Sequence, residues 1–318
     1  MSLITDNPDI LELQSRLEDA DAVVRRIALI ALADLEDPDS LPWLTEALRQ
    51  DPASNVRAES ARLLEAWEDA PVVTALCQAL TDAEQEVREA AAQSLSQLKT
   101  EAAGQLLLPW ARHADPFVRG SALRALRELR LPASAEVARE ALNDPAAAIR
   151  REAVGILGWL KHTEALADLT QRLATDDDIE VRRMAAGAVG FAGTPAVIEA
   201  LTTALNDPQW QVREEAATTL GKVGDESAGS ALLLALDDAY WQVRLRAVRS
   251  LGRLKYSPAR GAVESLLSHS ISNLRKESAL ALGEFGDPQA LPALRLAEQD
   301  GDPEVRKAVR IALSQLEP

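Results

Sequence analysis

Residues 207–225 read DPQWQVREEAATTLGKVGD. Asp207 and Pro208 close whatever helix comes before them, because a proline drives the preceding residue out of the α region. The residues that follow form an amphipathic helix, with Val212, Ala216, Ala217 and Leu220 on one side. Gly224 stands just past its end, where glycine is favoured because it tolerates a left-handed backbone. Immediately upstream, AVIEALTTAL at 196–205 is a second amphipathic segment, so the stretch reads as a helix-turn-helix hairpin.

The same unit recurs from end to end. Aliphatic-Arg dipeptides place arginines at Arg25, Arg57, Arg88, Arg119, Arg150, Arg182, Arg213, Arg244, Arg275 and Arg306, spaced by 31 or 32 residues. Six residues before each stands an aspartate, except for His113 and His269. Seven residues after each stands Leu, or Val189 in the sixth unit, and three residues after it there is usually Ala or Ser. Pro116 and Pro303 sit at the first position of second helices, behind Asp115 and Asp302 as caps. Gly193, Gly224 and Gly286 are expected to end second helices. No single hairpin can bury its apolar stripe, so neighbours must stack into a continuous core.

The pattern D-P-x-x-x-V-R-x-x-A-A-x-x-L-G-x-x-G-D resembles the HEAT repeat, in the short form called the PBS-lyase HEAT-like repeat. The resemblance covers essentially the whole chain. It implies an all-α fold, a single right-handed α-solenoid over residues 1–318 with about ten units of 31–32 residues. It also implies that the turn aspartates and the arginines form a ladder, and that the second helices line a concave face. Proteins with this repeat include phycobilin lyase subunits, phycobilisome-turnover factors and general protein-binding scaffolds.

Composition agrees with a helical array. The 318 residues are 47% apolar but only 3% aromatic, and Ala, Leu, Glu, Arg and Gln are strong helix formers. A formal charge of −16 repels phosphate backbones, which argues against nucleic acid as a partner. Cys77 is the one cysteine, so an internal disulfide and a Cys-based zinc site are excluded. The start, MSLITDNPDILELQ, lacks a signal-peptide pattern, and no apolar run reaches the roughly 20 residues of a membrane span. A cytoplasmic protein is expected.

The regular positions have structural readings. The Asp/Arg ladder is a lock between turns, and His113 and His269 are variants of its aspartate slot. His162 lies in a loop. Cys77 is expected in the core, as are Trp67 and Phe285, which replace a leucine ten residues after the arginine. No nucleophile motif, phosphate loop or metal-ligand spacing occurs, so neither a catalytic residue nor a metal site is assigned.

Function is sought where the repeat is broken. The variable positions, two before the arginine and one, two, five and nine after it, share one arc of the second helix. In repeats two and three this arc is an ordinary polar face. In repeats five to eight it carries Trp159, Met184 and Phe191, with Gly155 and Gly187 leaving room beside them. Trp210, Tyr240 and Trp241 follow at the starts of the next helices, where Gln209 and Tyr240 replace aspartate caps. These aromatics either fold back to fill gaps or form a binding surface, as clustered exposed aromatics do.

Between Tyr240 and Ala262 there is no acidic residue. Arg246, Arg249 and Arg253 therefore read as an unneutralised stripe on the same arc, suited to an anionic ligand or acidic protein surface. A smaller basic stripe surrounds Arg112, Arg119, Arg124, Arg127 and Arg130. The expectation is a scaffold or chaperone-like adaptor without a cofactor of its own, gripping a partner protein on repeats five to eight. The alternative implied by the resemblance is a bilin lyase subunit or bilin-binding chaperone, with a linear tetrapyrrole as ligand. Ile27, Ile30 and Ile311 in the end repeats suggest end-to-end contacts.

Overall fold

The computed structural model describes residues 5–317, and every regular element among them is helical. The chain divides into two compact units, one up to residue 160 and one from residue 161 onward.

The first unit holds five hairpins: α1 Pro8–Leu17 with α2 Ala22–Ala33, α3 Leu41–Gln50 with α4 Ser54–Leu63, α5 Ala70–Ala79 with α6 Gln85–Leu95, α7 Glu101–Leu107 with α8 Pro116–Leu129, and α9 Ser134–Ala141 with α10 Ala147–Leu160. The second holds α11 Leu166–Thr175 with α12 Ile179–Ala188, α13 Pro195–Ala204 with α14 Trp210–Val223, α15 Gly229–Leu234 with α16 Trp241–Leu254, α17 Arg260–Ser265 with α18 Ser272–Phe285, and α19 Leu291–Ala297 with α20 Pro303–Leu316. Within each unit the even-numbered helices stack in succession, α2 on α4 through to α10 and α12 on α14 through to α20. This is the α-solenoid expected from the period.

The fixed apolar positions make the core. Val56, Val87, Val118, Val212 and Val243, each just before a repeat arginine, are fully buried, as are Ala91, Ala122, Ala185, Ala216 and Ala247 three residues after one. Small side chains there let successive helices close up, and glycine takes this furthest. A Cβ on Gly221 would lie 2.9 Å from Cα of Ser250, and one on Gly252 would lie 3.0 Å from Cα of Ala281. The glycine in the last turn of these second helices is therefore a contact requirement, and Ser250 Oγ donates across the same step to the carbonyl of Ala217 at 2.7 Å.

The ladder joins neighbouring hairpins. Arg57 donates through Nε and Nη2 to both carboxylate oxygens of Asp82 in the next hairpin, and through Nη1 to the carbonyl of Asp51 in its own turn. Arg25–Asp51, Arg119–Asp144, Arg182–Asp207, Arg213–Asp238 and Arg275–Asp300 repeat the pairing at 2.6–2.8 Å. Each aspartate also accepts from the backbone two residues on, as Asp82 does from Glu84. His113 and His269 keep that second task through Nδ1, accepting from the N–H groups of Asp115 and Ile271. They cannot offer Arg88 and Arg244 a carboxylate, and Nε of Arg244 is buried without an acceptor.

The caps follow expectation at most sites. Asp115 and Asp302 accept from Phe117 and Glu304 with proline in the first turn, and Gly224 and Gly286 are left-handed at φ 78° and 70°. Gly193 is not such a cap. A 3₁₀ turn over Val189–Phe191 tightens the chain after α12 and hands over to extended Ala192 before the glycine is reached. Conversely, Arg130 and Lys255 adopt left-handed backbones after α8 and α16.

Candidate functional site

In the second unit the expected surface residues are partly engaged with one another. The Trp210 ring stacks on Tyr240 at 5.6 Å between centroids, and the Arg213 guanidinium lies 5.6 Å from the centre of the Tyr240 ring. This stack bridges the seventh and eighth hairpins at the starts of α14 and α16, where neither Gln209 nor Tyr240 caps its helix with a side chain. Tyr240 is still 46% exposed, while Trp210, Trp241, Met184 and Phe191 are half-buried. The room expected at Gly187 is filled by Glu215, whose carboxylate would approach a Cβ there to 3.1 Å.

The arginine stripe is not unneutralised. Arg246 donates to Glu214 at 2.9 Å, Arg249 makes a two-point contact with Glu277, and Arg253 is within electrostatic reach of Glu284. These carboxylates belong to α14 and α18, on either side of α16, so a stretch without acids along the chain is supplied with them across the stack. The Glu277 contact holds the Arg249 guanidinium above its usual pKa, against the opposing cost of burial.

In the first unit Trp159 is 58% exposed. The guanidinium of Arg130 lies 4.0 Å from the centre of its ring, and Arg130 meets no carboxylate among the described residues. Arg124, Arg127 and Arg130 lie in order along α8 and its cap. Arg127 pairs with Glu128 at 2.8 Å and with Glu152 at 2.7 Å, whereas Arg124 is 61% exposed and reaches Glu152 only at 3.4 Å.

The N-terminal half of α8 borders a groove of about 540 Å³ whose lining includes Ala92, Phe117, Gly120, Arg124, Ile149 and Glu152. Neither Phe117 nor Gly120 is among the residues singled out from the sequence. Phe117 occupies the position two before its arginine and Gly120 the one after, both on the variable arc, so the signal lay in that alignment. Arg88, which lacks a ladder carboxylate, places its guanidinium 5.8 Å from the centre of the Phe117 ring.

Residues assigned to the core are mostly found there. Cys77 is fully buried, and burial pushes its thiol up to about 12. Phe285 is buried, whereas Trp67, just past the end of α4, is half-buried. Ile27 and Ile311 are exposed at 46% and 41%. Among the described residues no three His, Cys, Asp or Glu side chains are arranged to hold a metal ion, and no helix is long and apolar enough to cross a membrane.

The family model for HEAT repeats matches residues 10–96, 43–127, 104–186, 166–241 and 229–314. The chain belongs to the HEAT-repeat family. That match is to HEAT repeats at large and does not resolve the short subtype. Among curated proteins, deoxyhypusine hydroxylase of Rattus norvegicus is 29% identical over 233 residues, 64% of this chain and 76% of that protein. Among solved structures, an engineered protein superposes with a TM-score of 0.60 at 21% identity, covering 98% of this chain and 99% of the other. Kap95p in its structure with RanGDP gives 0.68 at 15% identity, and importin beta 0.64 at 17%, covering 96% and 97% of this chain but 49% and 50% of theirs. This HEAT chain thus spans about half the length of the importin-type solenoids, and the likeness concerns the fold.

Within the HEAT register, the ladder pairs, buried alanines and close-packed glycines are structural. What remains for function are the exposed departures: Trp159 with Arg130 and the Phe117 groove in the first unit, and the Tyr240 edge in the second.

Proposed function

We propose that this HEAT solenoid is a protein-binding scaffold or chaperone-like adaptor that holds its partner on the exposed side of its second helices in repeats five to eight. The observation that carries the reading is Trp159, 58% exposed at a position that is polar in most other repeats. A large exposed aromatic costs solubility unless a partner covers it, and tryptophan, tyrosine and arginine dominate binding hot spots. In the second unit Met184, Phe191, Trp210, Tyr240 and Trp241 supply further apolar edge. Arg246, Arg249 and Arg253 border it as guanidiniums already faced by Glu214, Glu277 and Glu284, which suits them to fix orientation more than to attract. Solenoids of similar fold are described with protein partners, Kap95p with RanGDP among them.

The test is affinity capture on the purified chain, followed by reconstitution with each captured protein in pure form. Trp159→Ala and Tyr240→Ala should each weaken a specific complex at least tenfold while the chain still unfolds cooperatively and well above the assay temperature. A complex that survives both substitutions would place the binding face elsewhere.

A further inference from the structure

We infer that the face of α8 is a docking track for an acidic peptide segment of a partner protein. An apolar anchor residue of that segment sits in the Phe117 groove, and its carboxylates meet Arg124 and Arg130. The inference rests on the protein-binding reading and adds the partner's chemistry and direction.

Space comes first. The groove of about 540 Å³ is within the range of about 300–1,000 Å³ usual for ligand cavities. It is open at Gly120, where an added Cβ would meet only Ile149 Cγ1, at 3.6 Å. Phe117, Gly120, Arg124 and Arg127 recur at three- and four-residue spacing along one side of α8, and Arg130 follows at its left-handed C-cap. From Phe117 to Arg130 the track is about 20 Å at a rise of about 1.5 Å per residue. An extended peptide covers that length with about six residues.

Charge selects the occupant. In a chain of net charge −16, α8 and its C-cap carry four arginines and the one carboxylate of Glu128, and only Arg119 among the four is committed to the ladder, through Asp144. Arg127 is consumed by Glu128 and Glu152. Arg124 is exposed and loosely held. Arg130 holds its guanidinium 4.0 Å from the centre of the Trp159 ring and meets no carboxylate among the described residues, which leaves N–H groups for the two-point grip a carboxylate offers. Glu89, which accepts from Gln85 on its own helix, lines the opposite wall of the groove. A carboxylate there would be repelled, so the apolar anchor belongs at the Phe117 end and the acidic residues at the Arg130 end.

The test selects displayed random 12-residue peptides on the full chain and measures fluorescein-labelled winners by anisotropy at low and high salt. Enriched peptides should join an aliphatic or aromatic residue to two or more acidic ones. Their affinity should fall at least tenfold in Phe117→Ser and in Arg124→Glu/Arg130→Asn, asparagine suiting the left-handed backbone at 130, and fall with salt. Lys307→Ala, which removes an exposed cation away from α8, should change nothing. Neutral or basic winners, winners indifferent to the α8 substitutions, or no enrichment would overturn the inference. Winners that are lost in Tyr240→Ala alone would do so while sparing the protein-binding reading.

Discussion

At the level of single residues, the two histidines in the ladder show what each part of the repeat does. Six aspartates, Asp51, Asp82, Asp144, Asp207, Asp238 and Asp300, perform two tasks, accepting a turn N–H and pairing with the arginine of the preceding hairpin; an imidazole performs the first only. Nε of Arg244 is left buried without an acceptor beside His269, a cost of about 1–3 kcal/mol for an unsatisfied polar group. His269→Asp is therefore expected to stabilise the chain by about 1–2 kcal/mol, read as a higher urea midpoint at pH 7. The pairs that do form predict acid sensitivity. Hydrogen bonding to Arg57 and Arg275 holds the carboxyls of Asp82 and Asp300 below the ordinary carboxylate range. A folded-state pKa below the unfolded value contributes stability that is complete above the unfolded pKa of about 3.9 and is lost as pH falls through the folded value. Thermal midpoints should accordingly be level from about pH 7 to 5 and drop below about pH 4. Asp82→Asn should start lower at pH 7, by about 2–3 kcal/mol, and show a shallower acid slope.

Helix stacking depends on where side chains are missing. Gly221 sits in the last turn of α14, where alanine is normally better by up to about 1 kcal/mol. Its Cβ would nevertheless stand 2.6 Å from Cβ of Ser250 and 2.9 Å from its Cα. Gly221→Ala should therefore destabilise by about 1–3 kcal/mol, the usual cost of overpacking. Lys255→Gly should do the opposite: at φ 51° a side chain is strained, and glycine there is expected to add about 1 kcal/mol. Paired urea titrations check both signs. The hairpins and their register were legible because each repeat restates the same residue types at the same offsets. The site was less legible because its properties arise between helices. Arg246 and Arg249 look unpaired along α16, but their carboxylates, Glu214 and Glu277, come from helices 32 and 28 residues away. The Phe117 groove is likewise made by α6, α8 and α10 together, and Phe117 and Gly120 are unremarked when read singly. Whether Trp159 packs or projects depends on Arg130, a residue of the previous repeat.

For the molecule as an array, stability is close to a sum of hairpin and nearest-neighbour terms, so the places where a neighbour term is weak should be visible as places where protection changes. Within the second unit the ladder runs through Arg182–Asp207 and Arg213–Asp238, fails between Arg244 and His269, and resumes at Arg275–Asp300. The failing step separates α15 and α16 from α17 and α18. The close contact of Gly252 with Ala281 and the Arg249–Glu277 pair still join them, so the step is weakened and not cut. Such arrays depart from all-or-none unfolding when one interface is weaker than the rest. Native-state hydrogen exchange in moderate urea should show α17 to α20 losing amide protection before α13 to α16. His269→Asp should bring the two groups together by restoring the missing pair. Equal protection on both sides of the step in the unsubstituted chain would mean that helix packing alone sets the coupling, with the ladder serving only to fix the turns.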